Sequence, residues 1–481
     1  MFFARRIHIV REHPEAWHDR GGHRALEQGG MSGLGVGSNG TGRRRARGAI
    51  GWLVAAMLGV LAAAPAWARG GSAVFLHPDG MGANTWAGVR LATVGPDGRL
   101  AWDGLERTGV YVGPLLDQVS ATSNGGGTSH AWGVRSDAGG FGTVGGAPIM
   151  ASASGADAPL MVEARRAGKK IGIVSSASVT DAGTGTQLTV AVSRRDHEAI
   201  AAGMLASRPD VLMGGGEQWF LPLGVAGVHG PGRRSDGRNL IEEARAQGYR
   251  IVRTRAEFAG LGSYRGRVLA LFASGNTFNE GSEERLAELG LPLFHAGAPR
   301  FDEMVSSALK LLADGTRGFY LMAEEEATDN FAGDNNAAGV LEAGAGADRA
   351  IAVVRAFMAR RRDVTLVVAS DSDCGGMQAT GDDIAVDAPL PERLENGSPL
   401  DGVGGARGRP FLAAPNALGV RLPFAIAWAS DGDMSGGGVV RAAGAAAAGL
   451  PATVDSTGIF VILHRALFGV GRQRDARPAP G

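Results

Sequence analysis

The chain is expected to be an α/β protein, a three-layer α/β/α sandwich around a mostly parallel central sheet. Two observations predict this. Short apolar runs that read as buried strands alternate with amphipathic stretches that read as helices. That alternation wraps a parallel sheet with helices on both faces. Several of the runs are also followed at once by acidic residues, and open α/β sheets keep their chemistry just beyond the carboxyl ends of their strands.

Taken in order, Ser72–His77 is the first strand and leads into Pro78-Asp79-Gly80-Met81-Gly82. Leu160–Ala167 is amphipathic and stops at Gly168, a helix terminator. Lys170–Ser175 follows as a buried strand, then Asp210–Met213, closed by Gly214-Gly215-Gly216, then Arg267–Ala273. Apolar spacing predicts helices over Glu303–Leu312 and Ala338–Met358. Between them Gly318–Met322 is a strand leading into Ala323-Glu324 and Asp329. Thr365–Ala369 leads into Ser370-Asp371-Ser372-Asp373, and Pro423–Ala429 continues the strand series. Asp382–Arg421, rich in Pro, Gly and Asp, interrupts it as a surface excursion that shapes the mouth of a site. Residues 69–471 read as one large domain, and 472–481 as a disordered tail.

Composition narrows the class. At 44% hydrophobic and 20% charged residues, 481 residues suffice for a large core. Lys+Arg and Asp+Glu are both 48, so no basic field supports nucleic-acid binding. The N-terminal part is a leader spanning 1–68. Arg43-Arg44-Arg45-Ala46-Arg47 is a basic run, Ala49–Ala64 an apolar stretch shorter than the ~20 residues of a membrane span, and Ala66-Trp67-Ala68 a cleavage signal. This reads as a secretory signal peptide with its start at Met31 and residues 1–30 a mis-assigned extension. The expected location is periplasmic or secreted, with no stable membrane span after cleavage. The single cysteine, Cys374, makes no internal disulfide and reads as a core residue.

Asp79, Glu324, Asp329 and Asp371 come to one sheet edge from distant parts of the chain. Carboxylates gathered there are costly unless cations neutralise them, which predicts a metal site with more than one ion. Plainer local readings exist for each. Asp79 suits an Asx turn, Asp371 and Asp373 suit helix caps, Asp181 an ordinary loop, and Arg194 a surface charge. Glu324 sits in an acidic run with Glu325 and Glu326 that reads as solvated.

Together the segments resemble the alkaline phosphatase family over most of residues 72–470. Phe75-Leu76-His77-Pro78-Asp79-Gly80-Met81-Gly82 is similar to its first strand and metal-binding Asp. Val179-Thr180-Asp181-Ala182, Ser193-Arg194-Arg195, Gly318–Glu324 and Ser370–Gly376 resemble further family segments in order. The resemblance implies an alkaline-phosphatase-like fold and metal ligands at Asp79, Asp181, Glu324, Asp329 and Asp371. It implies a phosphate-binding Arg194, whose fork suits bidentate contact. Counting back from Gly133-Val134-Arg135 aligns Ser123 with the family nucleophile. Thr122 replaces the usual preceding Asp and is a reserve nucleophile. The glycines Gly125, Gly126 and Gly127 weaken any helix there.

The chain departs from the family in its histidines. None of His77, His130, His197, His229, His295 and His464 falls at a family ligand position. Ser372 stands where a His follows the Asp, and the His four residues after Asp329 is missing. Asn330, Asp334, Ser372 and Asp373 are additional candidate ligands, while Asp431 and Asp433 follow the last strand. Every candidate donor is then an oxygen, which favours Mg²⁺ or Ca²⁺ over the zinc that is the family default. The expected activity is a metal-dependent phosphomonoesterase with a phosphoserine intermediate, acting on a small phosphate ester and forming a homodimer as the family does. The alternatives are a phosphodiesterase on the same scaffold and a non-catalytic phosphate-binding protein.

Overall fold

The computed structural model describes residues 71–381 and 384–469. The leader over 1–68, Asp382 and the tail over 472–481 lie outside the described residues. The central sheet has ten strands: β1 (Ser72–Pro78), β2 (Arg107–Val112), β3 (Lys170–Ser178), β4 (Val211–Gly215), β5 (Arg250–Val252), β6 (Val268–Leu271), β7 (Phe319–Glu325), β8 (Val364–Val368), β9 (Val439–Ala443) and β10 (Thr453–Asp455). Their spatial order is β10-β2-β9-β8-β1-β7-β3-β4-β6-β5. Every pairing is parallel except the two made by β9, so β9 alone of these strands runs against the rest.

Side chains alternate across a strand, and β1 feeds two cores in this way. Val74 and Leu76 join one apolar cluster, Ala73 and Phe75 the other. Helices Phe301–Leu312 and Ala337–Met358 cover the first face, and Ser456–Phe468 the second. The result is the three-layer sandwich expected from the alternation. Among the described residues no helix is long and apolar enough to cross a membrane.

One local expectation is corrected. Pro423–Ala427 does not continue the central sheet. It pairs antiparallel with Gln378–Thr380, Leu400–Gly402 and Phe411–Leu412, strands that lie before and within the excursion. A short apolar run carries no signal of which sheet it joins. The Gly-rich segment is a helix, Ser123–Trp132, buried along its whole length. Its glycines are there for space. A Cβ at Gly125 would meet Leu115 Cδ1 at 2.6 Å, and one at Gly127 would meet Thr186 Oγ1 at 2.7 Å. Tertiary packing overrides the weak propensity.

Candidate metal centre

Strands β8, β1, β7 and β3 are consecutive and parallel, so their carboxyl ends open on one edge. The chain leaving each end carries an acid: Asp371 after β8, Asp79 after β1, Glu324 at the end of β7, Asp181 after β3. Register fixes their neighbours, with His77 opposite Glu324 and Ser175 opposite the same residue on the far side. Asp79 is held on both sides. Its N–H donates to the Glu325 carbonyl at 3.1 Å, and Thr328 Oγ1 donates to its carbonyl at 2.6 Å. Gly80, at φ +65°, turns the chain in a conformation that favours glycine and donates to Asp79 Oδ1 at 2.9 Å.

Three groups of donors converge there: Asp79 with Glu324 and Glu326, Asp79 with His77 and Asp371, and Asp329 with Cys374 and Asp433. Within each, the donor atoms lie within 4.8 Å of one another. Asp79, Glu324 and Glu326 are at most 1% exposed, and Asp371 4%. Asp79 Oδ2, Glu324 Oε1, Glu326 Oε2 and Asp371 Oδ2 are buried without a hydrogen-bond partner. Unpaired buried carboxylate oxygens are strongly unfavourable, and divalent cations answer the deficit. The donor set therefore fits metal ions.

The same crowding sets the protonation. Burial first, then the charges of Asp79, Asp433 and Asp329, push Asp371 well above the usual carboxylate range. Burial and like charges do the same to Asp329 and Glu326, and burial raises Glu324 to about 7. Asp79 moves the other way. Burial opposes its charge, but His77 and hydrogen bonds from its neighbours prevail and lower its pKa.

The Ser123 helix abuts this edge. A Cβ at Gly126, one turn beyond Ser123 and on the same helix face, would stand 2.5 Å from Asp371 Oδ2. Thr122 is the N-cap: its hydroxyl accepts from the Gly125 N–H at 3.2 Å and donates to the Ala138 carbonyl at 2.9 Å. Ser123 is 6% exposed, and among the described residues its hydroxyl has no hydrogen-bond partner. Arg194 Nη2 donates to Asp181 Oδ1 at 2.9 Å. Burial disfavours its charge, but Asp181, Glu326 and Asp79 outweigh that and raise its pKa further. Asp181 itself caps the short helix Ala182–Gly185.

The structure brings Glu324 and Asp371 each into a donor group with Asp79, and places Asp329 in the third group. Asp181 stands beside them through Arg194. Ser372 adjoins the third group, its hydroxyl donating to Asp433 Oδ1 at 2.7 Å. Asp373 packs on Gly82 and Gly437 outside the three groups. Asp334 is exposed, and Asn330 is half-buried beside Glu280.

Four residues enter that sequence reasoning did not place among the ligands: Glu326, Asp433, His77 and Cys374. Glu325 and Glu326 are not a solvated run, since both are buried. Alternation turns Glu326 to the Glu324 side and Glu325 toward the helix Ala337–Met358, where Gly346 would place a Cβ 3.4 Å from it. Asp433 arrives because Asp433–Met434 pairs antiparallel with Asp373–Cys374. His77 lies within 3.8 Å of Asp79 Oδ1 and 3.5 Å of Glu324 Oε1. The expected all-oxygen donor set is thus corrected, since an imidazole and a thiol stand among the acids. Burial, and then the Asp329 and Asp433 charges, push the Cys374 thiol up, so it enters as a neutral group. For His77 a signal existed: two residues before Asp79 on a strand is the same face.

One glycine offers a direct test of this packing. A Cβ at Gly183 would overlap Glu324 Oε1. Gly183→Ala is expected to weaken divalent-cation binding by roughly 10- to 100-fold in calorimetric titration of chelator-treated protein. Gly262, where a Cβ meets nothing within 4 Å, is the control: Gly262→Ala should leave affinity unchanged. Equal affinities for the two variants would remove Glu324 from the centre.

Comparison with known proteins gives a consistent family. A model described as alkaline phosphatase matches residues 72–400. Streptomycin-6-phosphate phosphatase of Streptomyces griseus is 32% identical over 349 residues, 64% of this chain and 74% of that protein. Repressible alkaline phosphatase of Saccharomyces cerevisiae is 30% identical over 234 residues, 44% of this chain and 39% of its own length. Among solved structures, alkaline phosphatase from the Antarctic bacterium TAB5 superposes with a TM-score of 0.62 at 17% identity, covering 82% of this chain and 98% of that one. A variant of it is described with Mg bound in its M3 site. The Thermus thermophilus alkaline phosphatase superposes with a TM-score of 0.62 at 22% identity, covering 85% and 95%. At these identities the superpositions establish the fold.

Proposed function

The chain belongs to the alkaline phosphatase family, whose members are phosphoric ester hydrolases that use divalent metal ions, and from that premise we propose a metal-dependent phosphomonoesterase working through a phosphoserine at Ser123. The observation that carries the proposal is the row of buried acids with unpartnered oxygens on neighbouring strand ends, beside a helix that begins at Ser123. The ions, when bound, stabilise charge on the attacking and leaving oxygens.

The chain's own residues supply the rest. Ser123 Oγ, giving up its proton, attacks phosphorus in line, the phosphorus–oxygen bond to the ester group breaks, and the alkoxide departs as the alcohol after taking up a proton, leaving a phosphoserine. Water then cleaves the phosphorus–oxygen bond, releasing inorganic phosphate and restoring the hydroxyl. Ser123 suits the role better than Thr122, whose hydroxyl both accepts and donates as a cap. The first N–H groups of the Ser123 helix point at the incoming phosphate oxygens. Arg194 binds the equatorial oxygens with the part of its fork that Asp181 does not hold. Asp79, Glu324, Asp329 and Asp371 would hold the ions, with Asp181 beside them. Because carboxylates dominate, oxygen-preferring ions such as Mg²⁺ and Ca²⁺ are favoured over a tight zinc pair.

The purified protein is expected to release p-nitrophenol from p-nitrophenyl phosphate and far more slowly from the bis-ester. Dialysis against chelator should abolish turnover, and Mg²⁺ or Ca²⁺ should restore it. Faster bis-ester cleavage would make it a phosphodiesterase. Phosphate binding without turnover, with any metal, would make it a binding protein.

A further inference from the structure

We propose that His77 is a nitrogen ligand to a metal ion of the centre, supplied from inside β1. His77 is 1% exposed, and neither ring nitrogen has a hydrogen-bond partner. A buried imidazole left with both nitrogens unsatisfied is unusual, and one whose nitrogens face carboxylates is a ready ligand. Nε2 is 3.8 Å from Asp79 Oδ1 and Nδ1 is 3.5 Å from Glu324 Oε1. Those separations are too long for good hydrogen bonds. Two donors held about 2.1 Å from one ion stand roughly 3 to 4 Å apart, which is the spacing seen here. His77, Asp79 and Asp371 form one of the three donor groups of the site.

The ring is held from behind. Phase-fixing contacts come from Phe75, with centroids 5.4 Å apart, and from His130 at 5.5 Å. His130 Nε2 meets the Tyr111 hydroxyl at 2.8 Å, and His130 belongs to none of the donor groups, so it packs against the ligand from outside them. Rigid outer contacts of this kind orient a ligating imidazole. The chain has Ser372 where the resemblance expects an imidazole, and a different strand position puts one back near the same acids. One imidazole among carboxylates leaves the centre dominated by oxygen donors and suits Mn²⁺ as a probe ion, since imidazole and carboxylate both bind it.

This inference rests on the reading that the acids hold metal ions, and its test separates the two. Full-length protein, freed of metal with chelator and loaded with Mn²⁺, is measured by pulsed electron paramagnetic resonance for coupling to nitrogen. The unsubstituted protein is expected to show directly bound imidazole nitrogen, and labelling with ¹⁵N-histidine should convert the ¹⁴N pattern to ¹⁵N. His77→Gln should lose the coupling and bind Mn²⁺ at least about tenfold more weakly. His130→Gln should keep the coupling. Mn²⁺ bound with no histidine coupling, or coupling that survives His77→Gln, overturns the assignment of His77 and leaves the metal reading intact. Absence of Mn²⁺ binding overturns both. Should His77→Gln fail to fold, histidine coupling retained in labelled His130→Gln still supports His77, and its loss there overturns the assignment.

Discussion

Ser123→Ala is expected to lower turnover of p-nitrophenyl phosphate by at least about 10,000-fold, because a nucleophile removed from a two-step displacement has no equivalent replacement. Folding should be little changed. The Ser123 hydroxyl has no hydrogen-bond partner among the described residues, and the helix it opens is capped by Thr122. Thermal unfolding of the variant should therefore overlay that of the unsubstituted protein. Acid-quenched protein incubated with substrate should carry a phosphoryl group on the Ser123 peptide, and the variant should carry none. Thr122→Ala should behave in the opposite sense, with a stability loss of about 1 kcal/mol from the missing cap and a smaller effect on turnover. If Ser123→Ala keeps a tenth or more of the activity, the nucleophile lies elsewhere and Thr122 is next.

Asp79→Asn is expected to reduce both turnover and divalent-cation affinity by more than about 100-fold, since Asp79 belongs to two of the three donor groups. Its effect on the metal-free protein is distinctive. Burial and the neighbouring charges hold Glu324 at about 7 and burial raises Asp373 to about 6, both above their ordinary values. A carboxyl raised in the folded state favours folding fully while it is protonated, below its unfolded value. That contribution is lost as pH rises through the folded value. The melting temperature of chelator-treated protein should therefore fall from about pH 4 to about pH 8. The Asp79 charge contributes to the raised values at Glu324, Glu326, Asp329 and Asp371, so Asp79→Asn should make this fall shallower. Asp79's own lowered pKa acts in more acidic solution, outside this window. Saturating Mg²⁺ or Mn²⁺ should flatten the curve for the unsubstituted protein and do little for the variant. Identical slopes with and without the Asp79 charge would show that it does not couple the site.

Much of the frame was legible because it is encoded locally. An apolar run such as Thr365–Ala369, short, rich in β-branched residues and flanked by turn residues, reads as a buried strand, and β8 occupies Val364–Val368. The acids that follow such runs were visible for the same reason. Pairing was not legible. Arg107–Val112 alternates exposed and buried residues, lacks a continuous apolar run, and was not read as a strand, yet it sits within the central sheet.

The site divides along the same line. Strand order determines which strand ends are neighbours, and Asp79, Glu324 and Asp371 needed only to sit at parallel ends to meet. Glu326, Asp433 and His77 depended on more. Glu326 required the acidic run to be covered, Asp433 required the Asp433–Met434 pairing with Asp373–Cys374, and His77 required an aromatic floor that shuts out water. Asp334, five residues beyond Asp329, was excluded by the turn of the chain that leaves it exposed. The positions of charge relative to strand ends were determined by sequence alone, since local periodicity says where a strand stops. Only the folded structure decided which charges lose water together, because burial and like-charge crowding arise between segments that the sequence holds far apart.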